Sequence, residues 1–199
     1  EPKEWTWTAV DDTTVIQAQD MLDDLEQEIN SAWPREKIIT PDDVRGEHPD
    51  VSTAVTTTGW PLLDSSRGKA IFVLLGGGDL RADYHSKFPN LESATMFTMS
   101  VENTPESAIF SNTNPIGDAE EIQALVEAGY IVRSRADDAE GGEADNNETE
   151  RRDKAIEIGA HSISTDYPTQ VDGIEYWLDL NVRCNPISAP PDCSNDAIE

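Results

Sequence analysis

The sequence predicts an α/β domain built on a parallel sheet. Ala70-Ile71-Phe72-Val73-Leu74-Leu75 is an apolar run without alternation, the pattern of a strand covered on both faces. A helical pattern from Asp118 ends at Gly129 and is followed at once by Tyr130-Ile131-Val132. A second helical pattern closes at Gly159 and is followed by Ser162-Ile163-Ser164. Helix, glycine and strand in repetition is the rhythm of βα units, and such units make parallel sheets.

Residues 1–12 are polar, with Trp5 and Trp7 reading as exposed. Val15, Ala18, Leu22, Leu25 and Ile29 then recur at steps of three and four, an amphipathic helix. Thr14 and Gln17 can form its capping box, and Pro34 ends it. Lys37-Ile38-Ile39-Thr40 is a short extended stretch stopped by Pro41. Val51 to Thr58 reads as a further amphipathic helix despite its threonines. The apolar run from Ala70 stops at Gly76-Gly77-Gly78. Short strand-like runs follow at 95–99 and 107–110. In the helix from Asp118, Ala119, Ile122, Leu125 and Val126 face inward. The next helix carries Ala155, Ile156 and Ile158. Residues 1–168 are thus expected as one domain. Residues 169–199 are expected as an irregular extension laid over it.

The charge excludes some functions. Among 199 residues, 14 Lys and Arg face 40 Asp and Glu, a formal net charge of −26. A nucleic-acid surface needs clustered cations, so nucleic acid is not an expected partner. The acidic surface reads as a solubility adaptation, for instance to salty surroundings. No apolar run reaches the roughly 18 residues that a membrane span needs. The chain starts at Glu1 without a signal peptide, so a processed chain or a fragment is expected. Cys184 and Cys193 bracket a proline-rich segment with no histidine or third cysteine near for zinc. A small disulfide loop pinning the tail is the better reading, and it implies an oxidising compartment, hence a secreted, extracellular or periplasmic protein.

Ligand-binding residues of parallel α/β folds sit where strands end and in the loops that follow. Arg133-Ser134-Arg135-Ala136-Asp137 follows one expected strand. Arg133 and Arg135, two apart, share one face while the chain stays extended. Two guanidinium groups in so acidic a chain suit a phosphate or polyol. The alternative is an ion pair with the acidic loop that follows. Asp166 and Tyr167 follow the next strand, and a carboxylate beside a phenol can bind a sugar-like ring. The alternative there is a helix cap and a packed tyrosine. His161 falls at the opposite end of its strand, and His48 and His85 read as loop residues. Gly76-Gly77-Gly78-Asp79 lacks the spacing of a phosphate loop. The loop Asp137 to Glu143 fits no EF-hand frame, and Asn147-Glu148-Thr149 is a glycosylation sequon.

Several motifs in order carry a resemblance. Ile39-Thr40-Pro41-Asp42-Asp43-Val44-Arg45-Gly46, Gly59-Trp60-Pro61-Leu62, Arg67-Gly68-Lys69, Gly129-Tyr130-Ile131-Val132-Arg133-Ser134-Arg135-Ala136-Asp137, Arg151-Arg152-Asp153, Ser164-Thr165-Asp166-Tyr167-Pro168 and Arg183-Cys184-Asn185-Pro186 resemble the calcium-dependent phosphatidylinositol-specific phospholipase C family, over roughly residues 15–193. The resemblance implies a TIM-type (β/α) barrel of the phosphodiesterase kind, of which this chain looks like the C-terminal portion. It implies a calcium-dependent enzyme cleaving phosphatidylinositol or a related glycerophospho-polyol. Catalytic histidines and most Ca²⁺ ligands are expected upstream, in the missing N-terminal half of the barrel. Arg133, Arg135, Asp137, Asp166 and Tyr167 are then expected to line the head-group pocket. Where the family tends to have Leu-Asp-Asn, this chain has Leu75-Gly76-Gly77-Gly78, a departure that favours the alternative: a catalytically inactive remnant or binding protein of the same fold.

Overall fold

The structure, a computed structural model, describes residues 18–138, 142–178 and 184–197. The expected cap at Thr14 and Gln17, the apolar Val15, Trp5, Trp7 and Arg183 lie outside the described residues. The chain divides into two compact units, Glu1–Ala108 and Ile109–Glu199.

In the first unit, α1 (Ala18–Ala32) buries Leu22 and Ile29, as its spacing predicts. After Pro34, Ile38 makes a parallel bridge with Ala70. The Ile39 N–H donates to the Ala70 carbonyl at 2.9 Å, and the Ala70 N–H to the Lys37 carbonyl at 2.8 Å. Pro41 stops that stretch and also opens a helix, α2 (Pro41–Arg45). Proline suits a first helical position, where its missing N–H would have had no partner. The Asp43 carboxylate reaches back to the Thr40 N–H at 2.9 Å. In α3 (Val51–Thr57) the Asp50 carboxylate caps the Thr53 N–H at 2.6 Å, and Val51, Ala54 and Val55 are buried. A short α4 (Leu63–Ser66) follows.

The apolar run from Ala70 is less regular than its composition predicts. Only Val73–Leu74 forms a strand, β1, parallel to β2 (Phe97–Thr98). Leu74 is buried, whereas Ile71, Phe72, Val73 and Leu75 are half-buried. Phe72 is covered in part by the ring of Trp33, edge-on at 5.8 Å between centroids. The glycines open α5 (Gly78–Lys87), which sends Leu80 and Tyr84 into the core. The Tyr84 hydroxyl bonds the Glu26 carboxylate of α1 and lies 3.1 Å from the Met96 N–H that donates to it. Burial, with Glu26 beside it, holds this phenol far above its ordinary pKa. His85 lies in α5, not in a loop. Its Nε2 is 2.9 Å from the Thr98 hydroxyl, and burial pushes its pKa down.

The corner after α5 is strained. Asn90, Leu91 and Ser93 all have left-handed backbones, at φ 56°, 54° and 62°. Leu91 is fully buried. Arg45 donates to the Asn90 carbonyl at 3.1 Å, Asp42 accepts the Ser93 N–H at 3.1 Å, and the Asn90 amide donates to the Pro49 carbonyl at 2.9 Å. Helix α2 thus clamps a corner that its own sequence disfavours.

The second unit is a repeated βα pattern: β3 (Ile109–Ser111), α6 (Ala119–Glu127), β4 (Ile131–Arg135), α7 (Glu150–Glu157) and β5 (Ser162–Ser164). The strands are parallel in the order β3-β4-β5. Gly129 and Gly159, at φ 99° and 74°, end the two helices as expected. Ile122, Leu125 and Val126 of α6 and Ile158 after α7 pack on Phe110 and Val132 of the sheet. Among the described residues the five short strands lie in two separate parallel sheets and close no barrel, which takes about eight strands. The α/β class and parallel pairing hold; the barrel is not seen.

Cys184 and Cys193 are disulfide-bonded, with Cα atoms 6.0 Å apart. The tail docks through Asn185, whose amide donates to the Gly159 carbonyl at 2.7 Å. A Cβ on Gly159 would lie 2.8 Å from both Asn185 Oδ1 and Ile187 Cγ1. Among the described residues no helix is long and apolar enough to cross a membrane.

Two outcomes follow from this packing. Gly159→Ala meets a left-handed backbone and the docked tail together, and lowers stability by about 1–3 kcal/mol in urea unfolding; an unchanged midpoint would remove the tail from the fold's support. For His85, the folded state binds its proton less readily than the unfolded chain, whose imidazole titrates near 6.5. Its contribution is therefore present above that pH and lost as the pH falls below it. The fall in unfolding free energy from pH 7 to pH 5 is expected to be shallower in His85→Gln, and identical slopes would refute this.

Candidate functional site

The site rests on the alternation of β4. Val132 and Ser134 are buried, while Ile131, Arg133 and Arg135 are half-buried on the other face. Because α6 and the end of α7 pack on the first face, the two arginines occupy the opposite one. They share that face, as their spacing of two predicts. The strand runs further than the sequence suggests: Tyr130 precedes it, and both arginines lie within it. Arg133 is therefore a sheet residue rather than the start of a loop.

Arg133 spans all three strands. Its guanidinium donates to the Ser111 hydroxyl on β3 at 3.2 Å and to the Ser164 hydroxyl on β5 at 3.0 Å. The Ser164 hydroxyl itself donates to the Ser134 carbonyl at 3.2 Å, so it can accept from Arg133. Among the described residues no carboxylate lies at ion-pair distance from Arg133. Arg135 pairs with Asp166, 3.5 Å away and half-exposed. The acidic loop after β4 has another partner: Arg151 on α7 pairs with Glu143 at 2.9 Å and donates to the Thr113 carbonyl at 2.9 Å. Of that loop, Glu143 is thus held by α7.

Asp137 lies at the end of β4 and is 1% exposed. Its carboxylate accepts the Thr165 hydroxyl and, at 2.8 Å, the Asp166 N–H. The Tyr176 hydroxyl donates to the Ala136 carbonyl at 2.8 Å and lies 3.2 Å from the same carboxylate. Burial, with Asp137 beside it, keeps the Tyr176 phenol protonated well above its ordinary range. The Tyr167 ring stands edge-on to Tyr176 at 5.8 Å, and the Arg152 guanidinium covers the Tyr176 ring at 5.6 Å. Arg135 at the C-terminal end of β4, Asp137 after it, and Asp166 and Tyr167 after β5 are thus brought together, with Arg133 just below. Ser111, Ser164, Thr165 and Tyr176 escaped the sequence reading. The alternation of Ser162 and Ser164 was a usable signal for the serine. Tyr176 lies where the chain has lost periodicity, and it had none.

The three histidines are apart from one another in their bonding. His48 meets Thr58 at 2.7 Å, His85 meets Thr98, and His161 accepts the Val132 N–H at 3.3 Å and approaches the Ser188 hydroxyl. His161 lies before β5 and Asp166 after it, at opposite ends, as expected. Among the described residues no group of three or more His, Cys, Asp or Glu has the geometry to hold a metal ion. These residues do not supply a calcium donor set.

A family model described as phosphoinositide phospholipase C, Ca²⁺-dependent, matches residues 4–186. No curated protein and no solved structure matches the chain.

The neutral partners of Arg133 give a stability test. Two hydroxyl bonds at a half-buried position contribute little net, so Arg133→Met is expected to shift the unfolding free energy by no more than about 1–2 kcal/mol. A collapse of the fold in this variant would make Arg133 a structural residue.

Proposed function

This chain belongs to the Ca²⁺-dependent phosphoinositide phospholipase C family, and on that basis we propose that it forms the head-group side of a secreted phosphodiesterase acting on phosphatidylinositol or a related glycerophospho-polyol. The carrying observation is Arg133: a half-buried guanidinium on the sheet face opposite α6 and α7, held by two neutral hydroxyls, in a chain of net charge −26. Such a group is available to an anionic ligand, because among the described residues its hydrogen-bond partners are neutral hydroxyls. In this reading Arg133 takes the phosphate. Arg135 and Asp166 offer a donor and an acceptor to ring hydroxyls, and Tyr167 offers its face. Asp137, buried with its oxygens occupied, holds these groups rather than touching the ligand.

The chemistry proposed for the whole enzyme is attack of a ring hydroxyl on phosphorus with departure of the glycerol oxygen. It requires an acid–base pair, and the developing negative charge on the phosphoryl oxygens requires neutralisation. This reading assigns the acid–base pair and the calcium ligands to protein outside this chain, with the present strands as the C-terminal portion of a TIM-type barrel. The disulfide supports an oxidising, extracytoplasmic setting.

A second reading, a binding protein that has lost the chemistry, has one observation in its favour. A Cβ on Gly76 would lie 2.4 Å from Leu80 Cδ2. Leu80 thus fills the space that a side chain at that position would need.

Calorimetry with myo-inositol 1-phosphate tests the proposal. The chain is expected to bind it, and Arg133→Ala to weaken binding by about 10- to 100-fold, the worth of hydrogen bonds to a charged group. The chain alone is expected to release no inositol phosphate from phosphatidylinositol vesicles. Calcium-dependent turnover by it would overturn the assignment of the acid–base pair elsewhere, and absence of binding would overturn the head-group assignment.

A further inference from the structure

Two segments beyond the sheet meet at one buried carboxylate. Thr165-Asp166-Tyr167 follows β5, and Tyr176, nine residues after Tyr167, returns to the end of β4. Asp137 joins them. It accepts the Thr165 hydroxyl and the Asp166 N–H, and the Tyr176 hydroxyl lies 3.2 Å from it. The Thr165 hydroxyl oxygen in turn accepts the Tyr167 N–H at 2.9 Å. The Tyr167 carbonyl accepts the Leu178 N–H at 2.9 Å, closing the strap on itself. Arg152 steadies the far side, with its guanidinium over the Tyr176 ring and an N–H donated to the Trp177 carbonyl at 3.0 Å.

The backbone of Asp166 and Tyr167 is therefore set by Asp137, while Arg133 is set by Ser111 and Ser164 on the sheet. The two halves of the mouth have separate supports. We infer that Asp137 is a positioning residue for polyol recognition, acting through Asp166 and Tyr167 and leaving the phosphate-binding half independent. This rests on the head-group reading above. It differs from a plain stability role in one respect: loss of Asp137 selectively weakens ligands that carry the ring.

The physical case is one of valence and direction. A buried carboxylate is an acceptor only, and both its oxygens are used. Asn at the same place keeps one acceptor oxygen but turns a donor amide toward either the Thr165 hydroxyl or the Asp166 N–H. One of those two contacts then sets donor against donor, unless the Thr165 hydroxyl turns and gives up its present role. The turn at 165–167 loses its register with β4, and Asp166 loses its placement beside Arg135.

The test uses the full 199-residue chain with Asp137→Asn, at a temperature where the variant is folded. Amide hydrogen exchange is read by NMR, and dissociation constants are measured for myo-inositol 1-phosphate and for inorganic phosphate. Exchange at Asp166 and Tyr167 is expected to accelerate at least tenfold, with Ile131 to Arg135 unchanged. Affinity for myo-inositol 1-phosphate is expected to fall about 10- to 100-fold, the cost of a small misplacement of recognition groups, with inorganic phosphate affinity unmoved. Should Asp137→Asn fail to fold, Thr165→Val carries the same comparison, since it removes one arm and leaves the carboxylate bonded to Asp166. Unchanged exchange at Asp166 and Tyr167, or equal losses for both ligands, overturns the inference. If the parent chain binds neither ligand, the head-group reading falls by itself and the exchange comparison alone decides whether Asp137 sets the turn.

Discussion

Everything at the mouth of the second unit depends on one constraint, the two-residue alternation of a parallel strand flanked on both sides. With β3 and β5 in register on either edge, β4 has no freedom to roll. Val132 and Ser134 must go under the helices once α6 and α7 have delivered Ile122, Val126 and Ile158 to that face. The arginines then have only the opposite face. Their charge is tolerated there because the face is half-open and its other polar side chains are small hydroxyls. The position of a guanidinium is thus fixed by apolar packing on the far side of the sheet. A slip of one residue in β4 would bury both arginines and expose Val132.

The electrostatic pattern follows from the same economy of cations. Most arginines of the chain have a local duty. Arg35 bonds Asp43 at 2.8 Å, Arg45 serves the corner after α5, and Arg151 and Arg152 serve the loop and the strap. These tasks attach elements to one another across short distances, where the attraction outweighs screening. Arg133 differs from these four because its hydrogen-bond partners among the described residues are neutral side-chain hydroxyls. In a molecule whose long-range field repels anions, a positive group recessed among hydroxyls is a local exception to that field.

Legibility in the sequence followed how local each cause was. Helix α6 was readable because Asp118, the apolar spacing and Gly129 all lie within one segment and agree. The sharing of a face by Arg133 and Arg135 was readable because it needs only backbone geometry. The length of β1 was not, because an unbroken apolar run reports hydrophobicity and says nothing of how much will be covered. The extent of β4 was misjudged because charged residues at a strand's end resemble a loop until neighbouring strands are known. Asp137 was the least legible residue. An acid after a strand looks like a solvent-facing group, and its burial depends on Tyr176, a tyrosine in a stretch without periodicity. The double role of Pro41 was hidden by the habit of treating proline as a terminator, although the Thr40–Asp43 pairing was present in the letters.

The corner at Asn90, Leu91 and Ser93 leads to a point about mutational tolerance. Leu91 is held in a backbone conformation that glycine would adopt freely, yet its side chain fills a fully buried slot in the core of the first unit. Glycine would relax the chain and empty the slot, and a β-branched residue would fill the slot but strain the chain further. Neither demand can be met without offending the other, so the position offers neutral drift almost no route. Its neighbours inherit the restriction, because Arg45 and Asp42 hold the corner in place. Backbone geometry and burial thus restrict this corner together.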